Sequence, residues 1–152
     1  MFTPDLSQSA SEMMRVVRPG GRIGMANWTP DGFIGYVFKT IGKHVPPPAG
    51  LRSPAMWGTN EYLRQLFGGE VARMQAMPKM FNFRYASAAH MLQVFRDFYG
   101  PIHKAFGAVG PDGEAALEAD LLDLMSRFNT AGSSSLVIPA AYLEVVLTKR
   151  SG

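Results

Sequence analysis

His44, His90 and His103 are the three imidazoles of the chain, and imidazole is the side chain that most readily exchanges a proton near neutral pH. His44 precedes the proline run 46–48 and His103 follows Tyr99-Gly100-Pro101-Ile102, so either is available as a general base. A lone histidine is also commonly a structural residue, and neither is assigned a catalytic role. No two of the three are spaced i, i+4, and the chain has no cysteine. A helical histidine pair, a thiolate metal site and a disulfide framework are therefore not expected. The ten methionines read as adaptable core filler rather than as a ligand set.

The 152 residues are 47% hydrophobic, enough for one globular domain with a substantial core. The net charge of +3 is small and dispersed; Arg15, Arg18 and Arg22 are followed by no basic run, so nucleic-acid binding is not expected. No apolar run has the length of a membrane span, and the segment 1–10 lacks a basic and an apolar region of the signal-peptide kind. A cytoplasmic protein with no membrane association is the expectation.

The elements that must position any site follow from periodicity and punctuation. Ser9 and Glu12 have capping-box spacing ahead of Met13, Met14 and Val17, and Pro19-Gly20-Gly21 stops that helix. The run Arg22–Trp28 is almost wholly apolar or glycine and reads as a strand covered on both faces. Thr29-Pro30 reads as a helix start for the stripe Phe33, Ile34, Val37, Phe38 and Ile41. Thr59 should cap a short helix carrying Tyr62, Leu63, Leu66 and Phe67, closed by Gly68-Gly69. Phe81, Phe83 and Tyr85 alternate with Asn82 and Arg84, as in an edge or half-buried strand, with residues 71–77 as its partner or early part. Two helices are expected next, one with Met91, Leu92, Phe95 and Phe98, the other with Leu117, Leu121, Leu124, Met125 and Phe128. Residues 141–149 are expected to form the last strand.

The stretch from Glu12 to Trp28, Glu-Met-Met-Arg-Val-Val-Arg-Pro-Gly-Gly-Arg-Ile-Gly-Met-Ala-Asn-Trp, resembles the helix, glycine turn and fifth strand of class I S-adenosylmethionine-dependent methyltransferases. The segment Thr59–Gly69 with its following strand resembles that family's next helix and sixth strand, and residues 141–150 resemble its seventh, antiparallel strand. The resemblance implies the C-terminal half of a Rossmann-like α/β fold: one domain with a mixed three-stranded sheet, equivalent to strands 5-7-6, flanking helices and a helical insertion at 87–130. The Gly-rich loop of the family is missing, since no G-x-G-x-G occurs in the chain. The chain thus begins where a complete methyltransferase would be about half finished.

The resemblance also suggests site residues. Ligands of such sheets sit at the carboxyl ends of the parallel strands, which draws attention to Asn27 and Trp28. Phe33 and Tyr36 can face the same substrate pocket from the following helix, although Phe33 also suits ordinary core. Trp57 and Tyr99 are candidate acceptor-side aromatics, with packing of loop onto core as the alternative. Met1 and Phe2 match positions near the methionine moiety of the cofactor. The implied activity is methyl transfer from S-adenosylmethionine to a small, apolar or aromatic acceptor, by a chain inactive alone. The alternative is a non-catalytic module, dimeric or partner-binding, derived from such an enzyme. The strand 22–28 has no proline or inward charge between Ile23 and Trp28 to guard its edge. Its expected partner is a second copy of the chain, in a homodimer, or an N-terminal half supplied in trans.

Overall fold

Leu6, Ala10 and Met14 are spaced to form one buried stripe, and in the computed structural model, which describes residues 3–151, they lie along helix α1 (Leu6–Val16). The order continues with strand β1 (Arg22–Trp28), helix α2 (Phe33–His44), a 3₁₀ turn (Pro54–Gly58), helix α3 (Asn60–Phe67) and strand β2 (Val71–Tyr85). Helices α4 (Ala88–Phe98) and α5 (Gly100–Phe128) and strand β3 (Leu136–Lys149) complete it. The protein is α/β, with one three-stranded sheet in the order β1-β3-β2 and flanking helices. The last strand therefore lies between the two earlier ones. The β1–β3 ladder is antiparallel, from Arg22 opposite Thr148 to Trp28 opposite Tyr142. The sheet is antiparallel, not mixed as expected: β1 and β2 are not neighbours, so no parallel ladder forms among the described residues.

The chain forms two compact units. Of the described residues, the first comprises 3–32, 51–80 and 141–151. Its core joins Leu6, Ala10 and Met14 of α1 to Trp57, to Tyr62, Leu63 and Phe67 of α3, and to Leu143, Val145 and Leu147 of β3. Burial of each such large side chain contributes about 1.5–3 kcal/mol. Lys149 Nζ donates to the carbonyls of Met14 (2.6 Å) and Val17 (3.0 Å), placing a cation where the last carbonyls of α1 lack helical partners. The second unit comprises residues 33–50 and 81–140. There α5 packs against both α2 and α4, burying Phe33, Ile34 and Val37 with Met91, Phe95, Ile102, Leu117, Leu121 and Leu124.

Several expectations need correction. Asp5, not Ser9, caps α1: its carboxylate accepts from the Gln8 N–H at 2.8 Å, whereas Ser9 Oγ donates to the Asp5 carbonyl. An aspartate one turn earlier offers a charged acceptor and wins the cap. Thr29 does not start α2, which begins at Phe33. Its N–H and hydroxyl both donate to the Ala141 carbonyl, prolonging the attachment of β1 to β3. Strand β1 is not covered on both faces, because Arg22, Gly24 and Ala26 are exposed while Asn27 is buried. Two small residues on the open face hide the alternation. Phe98 is 83% exposed and leaves the buried stripe of α4. Span 87–130 is helical, with a break inside α5 at Gly110, whose φ of 65° and ψ of −179° precede Pro111. Among the described residues no helix is long and apolar enough to cross a membrane.

Candidate functional site

In the first unit, period-2 geometry puts Asn27 on the face of β1 shared by Ile23 and Met25, which pack on the core, and Trp28 on the opposite face. Asn27 is 6% exposed. Trp28 is half-buried, its ring edge-on to Tyr142 with centroids 6.0 Å apart. The 3₁₀ turn presses against this strand end so closely that a Cβ built on Gly58 would lie 2.1 Å from the Trp28 carbonyl oxygen. Its neighbour Trp57 is 2% exposed and packs 5.8 Å from Phe67. Trp57 is thus a core residue of this unit, held by a turn whose start is fixed by Ser53 Oγ accepting from the Ala55 N–H.

Asn27 Nδ2 and Trp57 Nε1 are both buried and have no hydrogen-bond partner among the described residues. A buried donor left unpaired costs about 1–3 kcal/mol. Both groups are neutral donors. They can hold and orient an acceptor atom but cannot take up a proton.

In the second unit, Phe33 is fully buried, edge-on to Phe83 (6.0 Å) and Phe128 (5.6 Å), and serves as core. Tyr36, one turn later, is 38% exposed; its ring lies 5.5 Å from Phe128 and 4.4 Å from Lys39 Nζ. Tyr99 joins α4 to α5, its ring 4.9 Å from Phe95 and its hydroxyl buried without a partner among the described residues. Burial pushes its phenol up to about 12, so Tyr99 keeps its proton at neutral pH. The structure therefore gathers Asn27, Trp28 and Trp57 in one unit and Phe33, Tyr36 and Tyr99 in the other. Met1 and Phe2 lie outside the described residues.

His44, the last residue of α2, pairs with Asp120 of α5 through Nε2 and Oδ2 at 2.9 Å, and this hydrogen bond holds the Asp120 carboxyl below its ordinary range. Sequence reasoning named His44 but not Asp120, 76 residues away, because no local pattern marks the pair. His103 Nδ1 lies 2.9 Å from the Arg96 carbonyl, an acceptor, so that nitrogen carries hydrogen. Among the described residues no group of three or more His, Asp or Glu is arranged to hold a metal. The loop residues Asn129, Gly132, Ser133 and Ser135 border an open cavity of about 420 Å³ with Ser87 and Ser126. Asn129 organises that loop: Nδ2 donates to the Gly132 and Ser135 carbonyls, and Oδ1 accepts from the N–H groups of Ala131 and Val137.

No family model matches the chain. It is 32% identical over 154 residues to Rv1405c of Mycobacterium tuberculosis, a protein named as uncharacterized, with 99% of this chain and 55% of the relative covered. The uncharacterized protein Mb1440c of Mycobacterium bovis matches to the same extent. Rv1403c of M. tuberculosis, likewise uncharacterized, is 32% identical over 132 residues, covering 84% of this chain and 48% of the relative. The chain spans about half the length of the curated relatives it matches.

Proposed function

We propose that this chain is the C-terminal, acceptor-side half of an S-adenosylmethionine-dependent methyltransferase fold, acting on a small apolar or aromatic acceptor and inactive by itself. The observation that carries the reading is the strand order β1-β3-β2, with the final strand between the two earlier ones and antiparallel to β1. That is the arrangement the fifth, seventh and sixth strands take in the family the sequence resembles. The matched relatives are nearly twice as long as this chain, leaving room in them for the remaining strands.

The residues of this chain do not by themselves fit the cofactor. The segment after β1 offers no glycine cradle: a Cβ on Gly32 would meet the Ala141 backbone at 3.1–3.2 Å, and Thr29 is tied to the Ala141 carbonyl. No step through S-adenosylmethionine is therefore assigned to these residues. Their part is to shape the acceptor side, where positioning of the nucleophile supplies much of the rate of a methyl transfer. In the first unit, Asn27, Trp28 and Trp57 are the residues that would do so.

The test is a chimera in which this chain replaces the matched residues of Rv1405c, incubated with S-adenosylmethionine labelled in its methyl group and a panel of phenols and aromatic acids. Label transferred to an acceptor by the chimera, and not by this chain alone, supports the reading. A folded chimera that transfers none rejects it.

A second reading, a non-catalytic dimeric or partner-binding module, is favoured by one observation: β1 stands at the edge of its sheet, with β3 as its neighbour. An edge strand without proline or inward charge is a template for another strand. The partner in that reading is a second copy, pairing antiparallel along residues 22–28, or a complementary half in trans.

A further inference from the structure

The hydrogen bonds that tie β1 to β3 fix which way each peptide of β1 points. The register that sets Arg22 opposite Thr148 brings Gly21 opposite Lys149, and there the Lys149 N–H donates to the Gly21 carbonyl at 2.9 Å. At the other end the Thr29 N–H donates to the Ala141 carbonyl at 3.2 Å. Bonded pairs of an antiparallel ladder recur at every second residue, so Ile23, Met25 and Asn27 also turn their backbone groups toward β3. Arg22, Gly24 and Ala26 turn theirs the other way. No strand lies on that side among the described residues, since β1 is the edge of the sheet. The side chains sort by the same parity. Ile23 and Met25 are half-buried against the core of the first unit, whereas Arg22, Gly24 and Ala26 are exposed. A Cβ built on Gly24 would meet no atom within 4 Å.

An occupant of this edge must present the same alternation of outward backbone groups beside small open-face residues, with apolar side chains between them. A second copy of 22–28 does so when it pairs antiparallel about a two-fold axis at Met25. Arg22 then lies opposite Trp28, Ile23 opposite Asn27 and Gly24 opposite Ala26 of the other copy. Outward backbone groups meet outward backbone groups, and Met25 meets its own copy on the covered face. A slip of one residue would set outward groups against inward ones, and a slip of two would shorten the pairing. The same register sets the one charge of the strand, Arg22, against an indole ring and places the other Arg22 at the far end. We infer that β1 is a self-association edge, joining two copies of this chain by antiparallel pairing of Arg22–Trp28 centred on Met25. The inference rests on the dimeric reading above and deepens it by naming the register and the backbone groups in contact.

The chain has no cysteine, so single substitutions report the register without interference. Opposite residues that do not exchange hydrogen bonds lie about 4.5 Å apart at Cα, within disulfide reach. Met25→Cys is therefore expected to link to itself completely under mild oxidation at micromolar concentration. Ile23→Cys alone and Asn27→Cys alone should not link, their two copies being about 13 Å apart along the strands, whereas the two variants mixed should link to each other. Ala26→Pro removes an outward N–H and leaves the β3 ladder intact, so it should sediment as a monomer with unchanged far-ultraviolet circular dichroism. Gly24→Pro replaces it if that variant fails to fold, and the mixture of Ile23→Cys and Asn27→Cys replaces Met25→Cys likewise. A wild-type dimer in which Met25→Cys does not link, or Ile23→Cys links to itself, overturns this register and leaves the dimeric reading standing. A dimer that survives the folded proline variant overturns the β1 edge as the contact. A wild-type monomer overturns both the inference and the dimeric reading, and leaves the edge to a complementary half.

Discussion

At the scale of single residues, Gly58 is fixed by what surrounds it. A methyl group there would meet the Trp28 carbonyl oxygen at 2.1 Å and its carbon at 2.6 Å, both backbone atoms that cannot rotate away. Gly58→Ala is expected to cost about 2–3 kcal/mol, the upper part of the range for overpacking, as read by urea denaturation. An unchanged midpoint would mean that the 3₁₀ turn and β1 do not meet as described. Tyr99 gives the pH signature. Burial raises its phenol to about 12 from an ordinary value of 10.0, so the folded state resists ionisation that the unfolded chain accepts. The contribution is complete below pH 10 and is lost as pH rises from about 10 toward about 12, because the unfolded state then releases the proton first. Tyr99→Phe is expected to leave stability at pH 7 equal or slightly higher, since the lost hydroxyl has no partner among the described residues, and to flatten that alkaline limb. A spectrophotometric titration should lose its highest phenol step in the variant.

At the scale of elements, the break in α5 rests on one backbone. Gly110 adopts φ 65° and ψ −179°, a region essentially closed to residues with a Cβ, and nothing lies within 4 Å of the position a Cβ would take. Gly110→Ala therefore isolates the conformational cost, expected at about 1–3 kcal/mol by thermal denaturation. A neutral effect would show that the two halves of α5 are not held at this angle. Periodicity made α3 legible, with Thr59 accepting from the Tyr62 N–H as its cap. It also made the helical character of 87–130 legible. It failed where local chemistry competes: the Asp5 cap outranked the Ser9–Glu12 spacing, and Gly24 and Ala26 concealed which face of β1 is open. The first residues of β3 were hidden by Pro139, which speaks against a central strand, although β3 runs from Leu136. Of the site, Asn27 and Trp57 were legible as polar or amphipathic groups at a strand end and in a loop. Their unpaired donors were not, because satisfaction depends on the tertiary neighbours of each atom. The His44–Asp120 pair was invisible for the same reason.

At the scale of the whole molecule, strand order accounts for both the proposed activity and the proposed association. Placing β1 at the edge makes it available to a second copy or to a complementary half, and in a methyltransferase sheet that position is where the rest of the fold begins. Sedimentation velocity on the isolated chain at micromolar concentration is expected to show a dimer, and a clean monomer would remove the second-copy reading. The central claim, that this chain supplies the acceptor side and not the cofactor side, is tested most directly by isothermal titration calorimetry with S-adenosylmethionine. The chimera with the remainder of Rv1405c should bind the cofactor saturably, and this chain alone should give no binding in the sub-millimolar range. Sub-millimolar binding by this chain alone, or a folded chimera with no binding, would contradict it.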